Sequence, residues 1–159
     1  MKYSVVIAFV LALVLGVACS IETNTDAPKK TAHHEHAEVD LVMLMGRLQL
    51  YMNKMYFAGI NDNTELRDFY VHEIEEVMEE ISEGKVTHEG VDISQNMKLY
   101  GVSQLEIFEK ALEQDRDFND AYRAFINTCN SCHMVSKYPF IIIKEPTNPV
   151  FDNQVYEAN

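Results

Sequence analysis

Cys129-Asn130-Ser131-Cys132-His133 gathers the residue types with most chemistry to offer in this chain: two thiols three positions apart and an imidazole directly after the second. Thiols at that spacing can both reach the vinyl groups of one macrocycle, and the adjacent histidine then lies beneath the iron. The pattern is that of c-type attachment of a single covalent haem, with Cys129 and Cys132 as thioethers and His133 as proximal iron ligand. The same spacing occurs in redox dithiols, but those open a helix within a strand-helix pattern. A zinc site would want two further ligands, and the remaining histidines show no second paired motif.

The elements that must position this motif read as helices. Between residues 39 and 59, Leu41, Met45, Leu48, Met52 and Met55 alternate spacings of four and three, the stripe of a helix packing in a bundle. Asn61-Asp62-Asn63 is turn chemistry. Thr64 is the candidate cap of a second helix, in which Leu66, Tyr70, Ile74, Val77 and Ile81 keep the spacing until Gly84. Residues 85–101 hold two glycines, with Gly84 just before them, and read as a longer link, with a helical turn over residues 95–100. Ser103-Gln104-Leu105-Glu106 has the form of a capping box that opens a third helix with Leu105, Phe108 and Leu112 inward. Asp117 can cap a fourth, where Phe118, Tyr122, Phe125, Cys129 and Cys132 share the core-facing seam. Beyond Lys137 the prolines at 139, 146 and 149 exclude a long helix, so Tyr138 onward is an extended tail whose apolar residues must cover something. The predicted fold is all-α: an antiparallel four-helix bundle over residues 39–137 with the extended C-terminal tail, residues 138–159, packed on it. No strand pair is expected between residues 39 and 115.

Lys2 and the apolar run over residues 5–17 read as a signal peptide, too short to span a bilayer comfortably. Leu15-Gly16-Val17-Ala18-Cys19 is similar to the lipobox of bacterial lipoproteins, although Gly16 stands where a branched apolar residue is usual. Residues 1–18 are therefore expected to be removed. Cys19 would carry a lipid that anchors an exported chain to a bacterial membrane, on the periplasmic side or the cell surface, with residues 19–38 as tether. Only Cys129 and Cys132 then remain in an oxidising compartment. His33-His34-Glu35-His36 could capture copper or zinc, but in a tether nothing fixes its geometry, and a solvated linker is the stronger reading. His72 and His88 are expected at the surface.

The 159 residues carry 25 Asp and Glu against 13 Lys and Arg, a formal charge of −12. That excess disfavours nucleic acid as a partner and favours a redox protein with a basic docking face. Arg47, Arg123 and Lys137 are scarce cations near the predicted haem. Arg123, on the motif-bearing helix, could pair with a propionate or equally with a nearby carboxylate.

Four helices with Cys-x-x-Cys-His in the last resemble the cytochrome c prime family and its low-spin, methionine-ligated relatives over roughly residues 39–137. Phe57-Ala58-Gly59, the Cys129 to His133 motif and the tail through Phe140-Ile141-Ile142-Ile143-Lys144-Glu145-Pro146 and Phe151-Asp152-Asn153-Gln154 are also similar to a group of small exported bacterial cytochromes with unassigned roles. Cytochromes c prime stop soon after the motif, so their ligand-binding habits do not transfer with the fold. The resemblance implies that a residue midway along the first helix covers the distal face of the iron. Met52 lies nearest mid-helix and is the first choice as distal ligand, with Met45 next, although methionines on such a stripe are most often core filler.

Three functions compete. A one-electron carrier leads; a five-coordinate module that binds nitric oxide or carbon monoxide is the alternative; a small peroxidase would need a distal acid or base that the first helix lacks. No Ser/His/Asp constellation or phosphate loop suggests other catalysis, so the chain is not read as an enzyme. A second copy of the chain is a further candidate partner, on which no residue decides.

Overall fold

The computed structural model describes residues 40–158. The signal segment, Cys19, the tether with its His33 to His36 tract, Val39 and Asn159 lie outside the described residues. The described chain is mostly helical, in agreement with the all-α expectation.

Helix α1 (Leu41–Ile60) opens on Asp40, whose carboxylate accepts the Met43 N–H at 3.0 Å. Its buried face runs through Leu44, Leu48, Met52, Met55 and Ala58, while Leu41 and Met45 flank it half-buried. Leu44, rather than Met45, thus sits at the centre near the helix start. The connection to α2 (Thr64–Glu83) differs from expectation: Asn63 is the cap, its Oδ1 accepting the Leu66 N–H at 3.2 Å, and Thr64 is already helical. The reason is the way α1 ends. The Asn63 N–H reaches back to the Ala58 carbonyl at 3.0 Å and the Asp62 N–H to the Gly59 carbonyl at 3.3 Å, with Asp62 in the left-handed region at φ 55°. That closure leaves Asn63 as the first residue free to cap.

The stretch read as a longer link with one helical turn contains a small strand pair, contrary to the expectation of none. β1 (Thr87–His88) pairs antiparallel with β2 (Val91–Asp92) across Glu89 and Gly90, both at positive φ (47° and 76°). Two successive residues at positive φ are what a two-residue hairpin turn requires. The sequence signal, Glu-Gly, is a weaker form of the usual Asn-Gly.

Asp92 then caps α3 (Ile93–Asn96), which runs without a break through a π-helical turn (Met97–Val102) into α4 (Ser103–Glu113). The capping box predicted at Ser103 is therefore not formed. The chain is already helical there, and the Ser103 hydroxyl donates to the Lys98 carbonyl at 2.9 Å. Gly101 lies in this wide turn, and the Met97 sulfur fills the space a Cβ there would take. Leu105 and Phe108 are buried as expected, with Leu112 partly so.

Asp117 caps α5 (Phe118–Val135) by accepting the Asp120 N–H at 2.9 Å. Phe125 stacks on Phe108 with ring centres 5.3 Å apart, Tyr122 meets Tyr56 at 4.8 Å, and the Phe118 ring lies where a Cβ on Gly59 would be. These contacts give α5 its place against α1 and α4. Tyr122 and Phe125 are buried there, and such rings carry much of the apolar stabilisation of a core.

Past α5 the described residues form neither helix nor strand. Three asparagines hold it by backbone-like amide bonds. Asn130 pairs with both N–H and C=O of Ile143; Asn53 bonds the Asn148 carbonyl at 3.1 Å and the Val150 N–H at 3.0 Å; Asn63 donates to the Glu157 carbonyl at 3.0 Å. Tyr156 is buried against Phe57, and the Tyr70 hydroxyl donates to Gln154 at 2.9 Å. Among the described residues no helix is long and apolar enough to cross a membrane.

Candidate functional site

The Cys-x-x-Cys-His motif occupies the last two turns of α5. Cys132 is buried and Cys129 half-buried, one helical turn apart on the face that continues Tyr122 and Phe125, because positions separated by three and four fall on one side of a helix. His133 follows, half-buried. Directly after it the helix is terminated. The Tyr138 N–H donates to the His133 carbonyl at 2.8 Å and the Lys137 N–H to the Met134 carbonyl at 3.3 Å, with Lys137 at φ 70°. This is a Schellman closure with lysine where glycine is commonest. Pro139 then forbids continuation, and the tail doubles back toward the motif.

The return fixes the histidine. The Ile141 carbonyl oxygen lies 2.9 Å from His133 Nδ1. A carbonyl can only accept, so Nδ1 carries a proton toward it, and Nε2 is the ring nitrogen left to bind a metal. Two residues on, Asn130 donates to the Ile143 carbonyl at 2.9 Å and accepts the Ile143 N–H at 2.7 Å.

Both thiols are unpaired. Burial pushes the Cys129 thiol up to about 12, with Cys132 adding to the shift, and burial also raises Cys132, where the Ser136 hydroxyl works against it. A redox dithiol needs the opposite, a depressed thiol at a helix N-terminus. Here the thiols sit at the negative end of the helix dipole. In the haem-free chain at pH 8, Cys129 should accordingly react with iodoacetamide much more slowly than in urea, since only the thiolate attacks and burial holds the folded thiol protonated. The rate should climb steeply as pH rises from 9 toward 12. Labelling at pH 8 as fast in the folded chain as in urea would show that the thiol is not held protonated.

The remaining candidates are spread more widely. Met52 is buried in α1, its carbonyl accepting the Tyr122 hydroxyl at 3.5 Å, two turns of α5 before Cys129. Met45 is half-buried two turns earlier on α1. Arg123 is exposed and engaged by carboxylates, Asp120 and Glu145, the latter at 3.3 Å. Arg47 pairs with Glu80 at 3.5 Å, and the Lys137 ammonium donates to the Glu89 carbonyl at 3.1 Å. His72 and His88 are exposed, His72 lying between Glu75 and Glu76 on its own helix. Among the described residues no three His, Cys, Asp or Glu side chains gather into a metal-holding group. Glutamates crowd where α2 faces α4: burial raises the Glu109 carboxyl first, and Glu75, Glu113, Glu106 and Asp68 raise it further.

Sequence reasoning missed Asn130 and Ile141. Asn130 is visible as a residue inside the motif, but an asparagine in a helix carries no sign of what it will bond. Ile141 acts through its backbone carbonyl, which every residue possesses.

No family model, curated protein or solved structure matches the chain.

Proposed function

We propose that this chain is an exported mono-haem c-type cytochrome that carries single electrons, with haem held by thioethers from Cys129 and Cys132 and its iron ligated by His133. The observation that carries the reading is the His133 ring, whose Nδ1–H is committed to the Ile141 carbonyl at 2.9 Å beside two unpaired thiols. A metal-ligating histidine ordinarily donates its other ring N–H to just such an acceptor, which fixes tautomer and orientation. The donor set fits the cofactor: two thiols one turn apart, an imidazole whose Nδ1–H is taken by the Ile141 carbonyl so that Nε2 is the nitrogen left to ligate, and nearby apolar side chains. Met134, Phe140 and Ile142 are 65%, 74% and 73% exposed. A macrocycle beside His133 would cover apolar surface that is otherwise costly to leave in water. When bound, haem supplies the iron that takes up and releases one electron.

In this reading α1, α2, the α3–α4 rod and α5 form an antiparallel four-helix bundle. The contacts of Gly59 with Phe118, Tyr56 with Tyr122 and the Met52 carbonyl with the Tyr122 hydroxyl support α1 and α5 running in opposite senses. Along that register each step back on α1 matches a step forward on α5. Met52 then stands near Tyr122, and Met45, about 10 Å earlier, comes level with the motif. The contacts thus favour Met45 as distal ligand over Met52, which mid-helix position favours. Arg123 has a propionate role only if haem displaces a carboxylate from it.

The acidic face of α2 and α4 suits docking to a basic redox partner. Anchoring rests on the N-terminal pattern: residues 1–18 as lipoprotein signal, a lipid on Cys19 and residues 19–38 as tether. Labelled palmitate should enter the wild-type chain in a bacterial host and not the Cys19→Ser variant; equal labelling of both rejects the anchor. The proposal as a whole is tested by haem stain after denaturing electrophoresis of chain exported with the c-type maturation machinery. Failure to stain rejects it.

A further inference from the structure

Building on the cytochrome reading, we infer that Asn130 is a positioning residue: by clamping the tail at Ile143 it holds the Ile141 carbonyl on His133 Nδ1 and so sets the basicity of the iron-ligating nitrogen. The juxtaposition is direct. Asn130 lies three residues before His133, so its side chain is on the same side of α5, one turn earlier. Its amide makes a two-point pairing with Ile143, donating to the carbonyl at 2.9 Å and accepting the N–H at 2.7 Å, as a neighbouring strand would. Ile143 is only two residues beyond Ile141, whose carbonyl lies on the ring. At the other end of the short loop, the Tyr138 N–H is tied to the His133 carbonyl and the Ile141 N–H to the Tyr138 carbonyl at 3.0 Å. The segment from His133 to Ile143 is therefore a closed lariat with α5 as its stem, fastened at His133 and at Asn130. The carbonyl that meets the imidazole is thus held from both sides of the loop.

The consequence is electronic. An Nδ1–H donating to a fixed carbonyl gives the ring partial imidazolate character, which strengthens donation from Nε2 and stabilises oxidised iron. The device uses a variable position of the motif rather than a ligand.

The discriminating experiment compares Asn130→Ala with Asn53→Ala in the haem-loaded protein. Asn53 clasps the same tail farther along, at Asn148 and Val150, and its loss frees that part without touching the lariat. Asn130→Ala should retain covalent haem, shift the midpoint potential upward and abolish the slowly exchanging His133 Nδ1 proton signal in NMR spectra. Asn53→Ala should leave both at wild-type values while exposing the distal tail to protease. A potential and proton signal unchanged in Asn130→Ala, or shifted equally by Asn53→Ala, overturn the assignment. If Asn130→Ala takes up no haem, exchange of the Ile143 amide in the wild-type haem-free chain decides: protection supports the clamp, and exchange at open-chain rate overturns it. Absence of covalent haem on the wild-type chain would instead reject the cytochrome reading, leaving the amide measurement to judge the clamp separately.

Discussion

Replacing Cys129 and Cys132 together by serine is expected to remove covalent haem completely: the stained band seen after denaturing electrophoresis of the wild-type chain disappears. Each thiol supplies one thioether, so either single variant should keep a weaker adduct through the other. The double variant should still fold. Cys129 is only half-buried, and the hydroxyl introduced at 132 finds Ser136 Oγ nearby, where the Cys132 sulfur now lies 4.0 Å from it. A buried hydroxyl with a partner costs little, whereas one without would cost about 1–3 kcal/mol. Far-ultraviolet circular dichroism separates loss of attachment from loss of fold. An unchanged haem stain in the double variant would falsify the site.

The second large effect concerns the distal face. With a methionine ligand, the reduced protein should show the sharp, split visible bands of low-spin haem and resist carbon monoxide. Met45→Ala should then turn the iron high-spin and open it to the gas, because the thioether that closed the sixth position is gone. Met52→Ala should keep the low-spin bands and lower stability by about 2–5 kcal/mol, the usual cost of emptying a buried methionine site. If Met52→Ala opens the iron instead, the mid-helix choice is right and the register argument fails. A wild-type protein already high-spin, with rapid carbon monoxide uptake, would replace electron transfer by the gas-binding alternative.

Helix content and the inward seams were legible because burial leaves a periodic trace. Leu48, Met52, Met55, Tyr70, Ile74, Val77, Ile81, Leu105, Phe108, Tyr122 and Phe125 were predicted inward and are all buried. Asp117 as cap of α5 was legible for a similar reason, since its side chain acts three residues away along the chain. Boundaries were less so. Thr64 and Ser103 are good caps in isolation, but α1 closes through Asp62 so that Asn63 caps α2, and the rod from Ile93 was already helical when it reached Ser103. Neither outcome depends on the capping residue itself.

By itself the sequence determined that Cys129, Cys132 and His133, the proposed haem donors, stand together, and that a helix presents them, because residue identity and local spacing suffice for both. It also determined that residues after Lys137 could not prolong that helix, since proline lacks the N–H and blocks the turn before it. Only the tertiary structure decided where the tail goes and what it does to His133. The Ile141 carbonyl, the Asn130–Ile143 pairing and the height of Met45 or Met52 against the motif all arise between segments far apart or between backbone atoms common to every residue. Such contacts leave no periodicity to read. They are set by how helices of particular length and ring size pack, and that packing is settled only when the whole core closes.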